Sequence, residues 1–239
     1  MTSSPALANV RVVLSHTSHP GNIGAAARAM KTMGLADLWL VNPKYFPDPQ
    51  AEAMASGAAD VLERARVCET LDKALEGTVL AAAASARGRE LRPEALDPRR
   101  AAPRLAAEAA HAPVALVFGN EQAGLTAEEA GRCQLLVRIP VNPDYPSLNL
   151  AAAVQVLAYE LRLAALGAPE PPAPEFPLAT LDELERFYQH LEQTLIQSGF
   201  LDPDHPKRLV PRLRRLFSRA RLEKEEVNIL RGVLRSLSK

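Results

Sequence analysis

The sequence predicts an α/β fold: a parallel sheet covered by helices, followed by a small all-helical C-terminal extension. Three observations carry this. Short β-branched runs alternate with Ala-rich amphipathic runs through the first 166 of the 239 residues, the pattern of a parallel sheet with crossover helices. The run Val114–Phe118 is continuously apolar, as in a strand buried on both faces. The composition then breaks at 167–178, where Pro169, Pro171, Pro172, Pro174 and Pro177 follow one another closely. Such a stretch cannot continue a helix and behaves as a semi-rigid extended linker.

The elements follow in order. Val10–Ser15 reads as the first strand. Residues 24–33 read as a helix that Gly34 stops. Asp37–Val41 is a second strand and 79–84 a third. Residues 99–110 are helical, Val114–Phe118 and 135–139 are strands, and 148–166 form a long helix. Beyond the linker, Leu181, Leu184, Phe187, Tyr188, Leu191 and Leu195 recur at helical spacing across Leu181–Gln197, and Gly199 ends the run. Two shorter helices are predicted, at about 206–219 and 223–237. The expected organisation is a domain at 1–166, a Pro-rich linker at 167–178 and a helical extension at 179–239. There are no internal repeats.

Composition bounds the function. No apolar run is read as reaching the roughly 18 residues of a membrane span, and residues 1–9 lack the basic start and apolar block of a signal peptide. The sequence therefore predicts a cytoplasmic protein with no membrane contact. Cys68 and Cys133 are far apart and in no CxxC pair, so neither a metal site nor a redox pair is expected. The 28 basic and 28 acidic residues cancel, but unevenly. From His205 onward eleven Lys or Arg face three Glu (Glu223, Glu225, Glu226). That local excess is a candidate electrostatic footprint for RNA, carried by Arg208, Arg212, Arg214, Arg215 and Arg219.

In a parallel α/β sheet ligands bind beyond the C-terminal ends of the strands, so the segment after each strand matters. The first strand is followed by Ser15-His-Thr-Ser-His-Pro-Gly-Asn-Ile-Gly-Ala-Ala-Ala-Arg28. Two glycines and Asn22 open a helix, and a helix N-terminus suits an anion. The segment is neither GxGxxG nor GxxxxGK[ST], which argues against a Rossmann-type nucleotide or NAD enzyme. His16 and His19 flank it without a third metal ligand. After Phe118 comes Gly119-Asn-Glu-Gln-Ala-Gly-Leu125, with Glu121 between glycines that permit close backbone approach. After Ile139 comes Pro140-Val-Asn-Pro-Asp-Tyr-Pro-Ser-Leu-Asn-Leu150. Here Ser147 would cap the long helix and Asn149 would fall in its first turn.

Together the three segments resemble the three motifs of the SPOUT (TrmH-like) RNA 2'-O-methyltransferases across residues 9 to 166. The tail segments Phe200-Leu-Asp-Pro203, Leu213-Arg-Arg-Leu-Phe-Ser-Arg-Ala220 and Ile229-Leu-Arg-Gly232 resemble the extension of the TrmJ-type branch. The resemblance implies a sheet domain ending in a deep trefoil knot, a rare exception to the usual connection rules. It also implies S-adenosyl-L-methionine bound in a bent pose between the knotted loops. Backbone groups near Gly119, Ile139 and Leu148 would hold the adenine, with Ser85, Ala86, Pro146 and Ser147 lining the same pocket. Residues 84–87 match a Thr-Ser-Ala-Arg segment of the family except that Ala84 replaces the Thr.

The implied reaction is methylation of a ribose 2'-hydroxyl, a weak nucleophile that needs a proton acceptor and positioning. The family assigns this task to the residue matching Arg28, although arginine normally stays protonated. Arg28 is then either a base of strongly perturbed proton affinity or a phosphate clamp that stabilises the developing alkoxide. Asn22, Glu121, Ser147 and Asn149 would arrange Arg28 and the ribose, with Glu121 facing either Arg28 or a loop N–H. The branch implies a homodimer with a shared RNA site and a tRNA substrate, modified at nucleotide 32 of the anticodon loop on C, U or both. Ribosomal RNA, another tRNA site and a non-catalytic RNA-binding role are the alternatives.

Overall fold

The protein, represented by a computed structural model, is described over residues 4–85, 95–167 and 176–237. At its centre is a seven-stranded sheet: β1 (Val10–Ser15), β2 (Asp37–Val41), β3 (Arg66–Cys68), β4 (Leu80–Ala84), β5 (Ala95–Leu96), β6 (Val114–Phe118) and β7 (Leu135–Val137). The spatial order is β3-β2-β1-β6-β4-β7-β5, and every pair is parallel. The helices are α1 (Pro5–Ala8), α2 (Pro20–Met33), α3 (Pro49–Ala55), α4 (Ala59–Glu63), α5 (Leu71–Leu75), α6 (Pro98–Ala109), α7 (Ala127–Gly131), α8 (Leu150–Gly167), α9 (Leu181–Gln197), α10 (Leu209–Ala220) and α11 (Lys224–Leu237).

Strand side chains alternate between the two faces, and both faces are packed. On β1, Val12 and Leu14 join one cluster with α2, α6 and α8, while Val13 joins a second with α5, α7 and α9. That is why Val114–Phe118 is apolar throughout: all five residues are buried. The extension supplies much of the second cluster. Leu184, Phe187 and Tyr188 of α9 pack with Val13, Val117 and Leu136 of the sheet. The Leu181 N–H also donates to the Thr78 carbonyl at 2.8 Å.

Several boundaries differ from the sequence reading. Helix α2 starts at Pro20 rather than 24, because Pro at the first helical position has its backbone angle preset. Gly24 thus lies inside a helix, where a Cβ would sit 2.0 Å from the Ala51 carbonyl oxygen of α3; glycine lets the two helices touch. Gly34 ends α2 at φ 84°, as expected. Strand β7 stops at Val137 and α8 begins at Leu150. The short elements α1, α3, α4, α5, α7, β3 and β5 were not foreseen, since two to seven residues show little periodicity. The expectation that no segment is long and apolar enough to cross a membrane needs correction: α8, with 18 residues, is so by length and composition. Glu160 and Arg162 interrupt its apolar run, but Glu160 pairs with Arg99 and Arg162 donates to the Met33 carbonyl. Its inner face, including Val154, Leu157 and Leu161, is buried against the sheet domain.

Candidate active site and basic helix

The three motif loops leave the C-terminal ends of β1, β6 and β7. Strands β1 and β6 are adjacent, while β4 separates β6 from β7. The chain runs outward from β1 to β2 and β3 and resumes on the far side of β1, so the first two loops meet where the strand order reverses. Glu121 is their junction. Its carboxylate accepts from the Ser18 N–H at 2.9 Å, the Ser18 hydroxyl at 2.8 Å, the His19 N–H at 3.2 Å and the Asn22 amide at 2.9 Å. Burial alone would raise this carboxyl, but the hydrogen bonds from Asn22 and Ser18 outweigh it and hold it below the usual range. Glu121 therefore faces loop N–H groups and Asn22, one of the two partners the sequence left open.

Asn22 passes the connection to the third loop. Its side-chain oxygen accepts from the Asn149 amide at 3.0 Å, and the Asn149 oxygen accepts from the Ala151 N–H at 2.9 Å. Asn149, not Ser147, therefore caps α8. The helix starts two residues later than expected, which leaves Ser147 exposed in the loop. Arg28 stands apart. It is exposed on α2, and its side chain makes no hydrogen bond or ion pair among the described residues. Asn22, Glu121 and Asn149 are thus brought together, while Arg28 and Ser147 are not joined to them.

Two contacts escaped the sequence reading. Ser18, an unremarked loop residue, makes two of the bonds to Glu121. The buried Ser15 hydroxyl donates to Glu129, whose carboxylate also closes a capping box with Thr126 on α7. The Thr126-x-x-Glu129 spacing was a legible signal; for Ser18 there was none.

The strand ends also offer groups for a cofactor. Ser85, Gly119 and Ile139 follow the neighbouring strands β4, β6 and β7. Among the described residues the backbones of Ile139 and Leu148 make no hydrogen bond, and the loop from Asn142 to Asn149 is exposed. Free N–H and C=O groups at Ile139, beyond β7, and at Leu148, just before α8, fit an adenine ring held by backbone. Gly119 has a second reason to be glycine: a Cβ there would lie 2.2 Å from the Leu125 nitrogen. Pro146 lies in the same exposed loop, and Ala86 falls outside the described residues.

In the extension, the five candidate arginines divide. Arg208, Arg212, Arg215 and Arg219 are exposed and unpaired among the described residues, and their spacing of four, three and four puts them on one face at α10. Arg214 points elsewhere. It forms a two-pronged pair with Glu185 at 2.6 and 2.7 Å and stacks 4.4 Å from the Tyr188 ring centre. Arg132, at the end of α7, pairs with the same Glu185. Burial would raise the Glu185 carboxyl, but Arg214 and Arg132 hold it low; burial pushes the Tyr188 phenol up to about 12.

Comparison with known proteins bears on this arrangement. Residues 9–159 match the SpoU rRNA Methylase family, and residues 182–239 match the tRNA methyltransferase TrmJ, C-terminal domain. A relative from Klebsiella pneumoniae, named tRNA (cytidine/uridine-2'-O-)-methyltransferase TrmJ, is 55% identical over 97% of each chain. The crystal structure of TrmJ from Z. mobilis ZM4 aligns with a TM-score of 0.84 at 34% identity, over 96% of this chain and 99% of that one. An AdoMet-bound rRNA methyltransferase from Sinorhizobium meliloti aligns with a TM-score of 0.50 at 28% identity, over 64% of this chain and 55% of that one.

Proposed function

The chain belongs to the SpoU rRNA Methylase family and ends in a TrmJ C-terminal domain, and on that premise we propose that it is a tRNA ribose 2'-O-methyltransferase dependent on S-adenosylmethionine. The observation that carries the reading is the tie from Glu121 through Asn22 to Asn149, which locks the first two motif loops to the start of α8. The target is a pyrimidine of the anticodon loop, nucleotide 32.

S-adenosylmethionine, when bound, supplies an electrophilic methyl group on a good leaving group. The residues Ser85, Gly119, Ile139, Pro146, Ser147 and Leu148 would hold it, largely through backbone, as the family resemblance implies. What the protein must add is a positioned hydroxyl and a place for the charge that develops on its oxygen. Arg28, exposed and without a carboxylate partner among the described residues, has its charge available for an RNA phosphate and for that oxygen. Losing a guanidinium proton is costly, so Arg28 acts by position and charge while the hydroxyl proton leaves to solvent. Asn22, Glu121 and Asn149 keep the loops in register, and Ser147 faces the substrate. The exposed arginines at α10 grip the tRNA backbone.

This reading carries three further parts. The chain passes through the family's knot. Residues 1–166, 167–178 and 179–239 act as the methyltransferase domain, linker and RNA-binding extension of a cytoplasmic enzyme. Two copies pair through the outward face of α8, where Tyr159, Leu163 and Leu166 are exposed.

The test incubates the protein with labelled S-adenosylmethionine and tRNA lacking the modification, then maps 2'-O-methyl groups by mass spectrometry. Methylation of one anticodon-loop ribose is expected, absent in Arg28→Ala although that variant still binds cofactor. Transfer to ribosomal RNA alone would overturn the substrate; failure to bind cofactor would overturn the enzyme reading.

A further inference from the structure

A cleft lies beside the Glu121 junction and shares Ser18 and His19 with it. Its volume is about 530 Å³, and it is bounded by residues 18–20, the loop 44–50 and residues 120 and 122. Some of its lining is already occupied. Ser18 serves Glu121, and the Asn120 amide donates to the His16 carbonyl while accepting from two N–H groups of its own loop. Other lining groups are free: among the described residues the side chains of His19, Gln50 and Gln122 make no hydrogen bond.

Tyr45 lines this cleft. The loop is pinned on both sides of it, because the Lys44 N–H donates to the Thr17 carbonyl at 3.0 Å and Phe46 packs against the core. Yet Tyr45 itself is 51% exposed, and the Lys44 ammonium lies 5.1 Å from its ring centre. Helix α2 opens at the cleft wall with no side chain capping it; Pro20 has no N–H and the Asn22 N–H donates to the His19 carbonyl, which leaves the Gly21 N–H facing outward from the first turn. Asp48 is the one acid in the lining, and it accepts from the Gln50 N–H at the start of α3, where the helix dipole offsets its charge.

A held, solvent-facing ring, an adjacent cation, free amides and an open N–H at a helix start together match an unstacked nucleobase with its phosphate. An apolar ligand would leave the amides unmet, and an inorganic anion would leave the ring uncovered. We propose that this cleft holds the nucleotide next to the methylated one, its base stacked on Tyr45 and its phosphate against Lys44. The inference rests on the reading of the chain as an RNA ribose methyltransferase. The neighbour is favoured over the target because Pro20, at the cleft wall, is eight residues from Arg28, about 12 Å along α2. That is farther than a base reaches from its own ribose. Gln50 and Gln122 can each donate and accept, so the stack tolerates more than one base.

The experiment uses the full chain, Tyr45→Ala, Tyr45→Phe and an anticodon stem-loop RNA. In a series of such RNAs, each loop nucleotide in turn lacks its base. Tyr45→Ala should raise KM for RNA about ten-fold or more, the scale of one lost stack, with kcat and cofactor affinity unchanged and Tyr45→Phe like wild type. Removing one base beside the methylated nucleotide should weaken wild type by the same factor and Tyr45→Ala no further. An unchanged KM in Tyr45→Ala, or losses that multiply at every position, would overturn the cleft's role. Wild type that methylates no RNA would overturn the underlying reading, and anisotropy binding of the same RNAs would still decide whether Tyr45 stacks.

Discussion

At the scale of single residues the molecule turns on carboxylates that hold loops. Glu121 accepts four hydrogen bonds from Ser18, His19 and Asn22. Glu121→Gln replaces one acceptor oxygen with a donor, so at least one N–H loses its partner. The expected cost is about 2 kcal/mol, a fall in melting temperature of roughly 4–8 °C, measured by calorimetry at pH 7. The pH dependence has a definite sign. Because the folded carboxyl titrates below its ordinary value, its contribution is fully present above the unfolded pKa of about 4.3. It is lost as pH falls through the lower folded value. The stability gap between wild type and Glu121→Gln should therefore close in acid and stay constant from pH 6 to 8. A gap unchanged down to pH 2 would show that the charge on Glu121 is not what holds the loops. Glu121 stood out in the sequence as a charge between glycines, with a loop N–H as one of its two open partners, but that Ser18 and His19 supply those N–H groups was not legible. Ser147 was the expected cap of α8, with Asn149 in its first turn; both residue types suit a cap, and the observed start of α8 at Leu150 makes Asn149 the cap instead.

At the scale of elements, α10 separates charge that faces outward from charge that holds helices together. Arg212, Arg215 and Arg219 share a face and are unpaired among the described residues. Replacing all three with alanine should weaken tRNA binding and lower the slope of log K against log salt by about three, near one per phosphate contact. Arg214→Ala should act on stability instead. It strips Glu185 of its two-pronged partner and Tyr188 of its stacked cation, destabilising the α9–α10 pair by about 2 kcal/mol while leaving the salt slope unchanged. Hydrogen exchange across α9 and α10, with binding titrations at several salt concentrations, checks both. Part of this division was legible: the 208, 212, 215, 219 phase is helical arithmetic that excludes 214. The pairing with Glu185 was not, because 29 residues separate the partners and no local pattern links them.

At the scale of the whole molecule, the parallel sheet was readable because strands buried on both faces leave continuous apolar runs, as Val114–Phe118 does. Strand order, and the use of α9 to cover the second face through Phe187 and Tyr188, depend on long-range packing that no window of sequence contains. The same limit applies to where the active site is completed. Within one chain, Arg28 is unconnected to the Glu121–Asn22–Asn149 tie and to the loop bearing Leu148. The pairing of two copies proposed above would account for this, with Arg28 of one acting on a ribose beside the cofactor loop of the other. That arrangement makes a quantitative prediction. Arg28→Ala and an exposed-loop variant such as Ser147→Trp, first shown to have lost cofactor binding, should each be inactive alone. Mixed at equal concentration and allowed to exchange, half of the dimers carry one of each. Each such dimer has one site with both lesions and one with neither, so about a quarter of wild-type methyl transfer should return. If both lesions act within one chain, every site in every dimer keeps a defect and the mixture stays inactive. Recovery of activity on mixing, read as labelled methyl incorporated per protomer, therefore decides whether the pairing of two copies is required for chemistry.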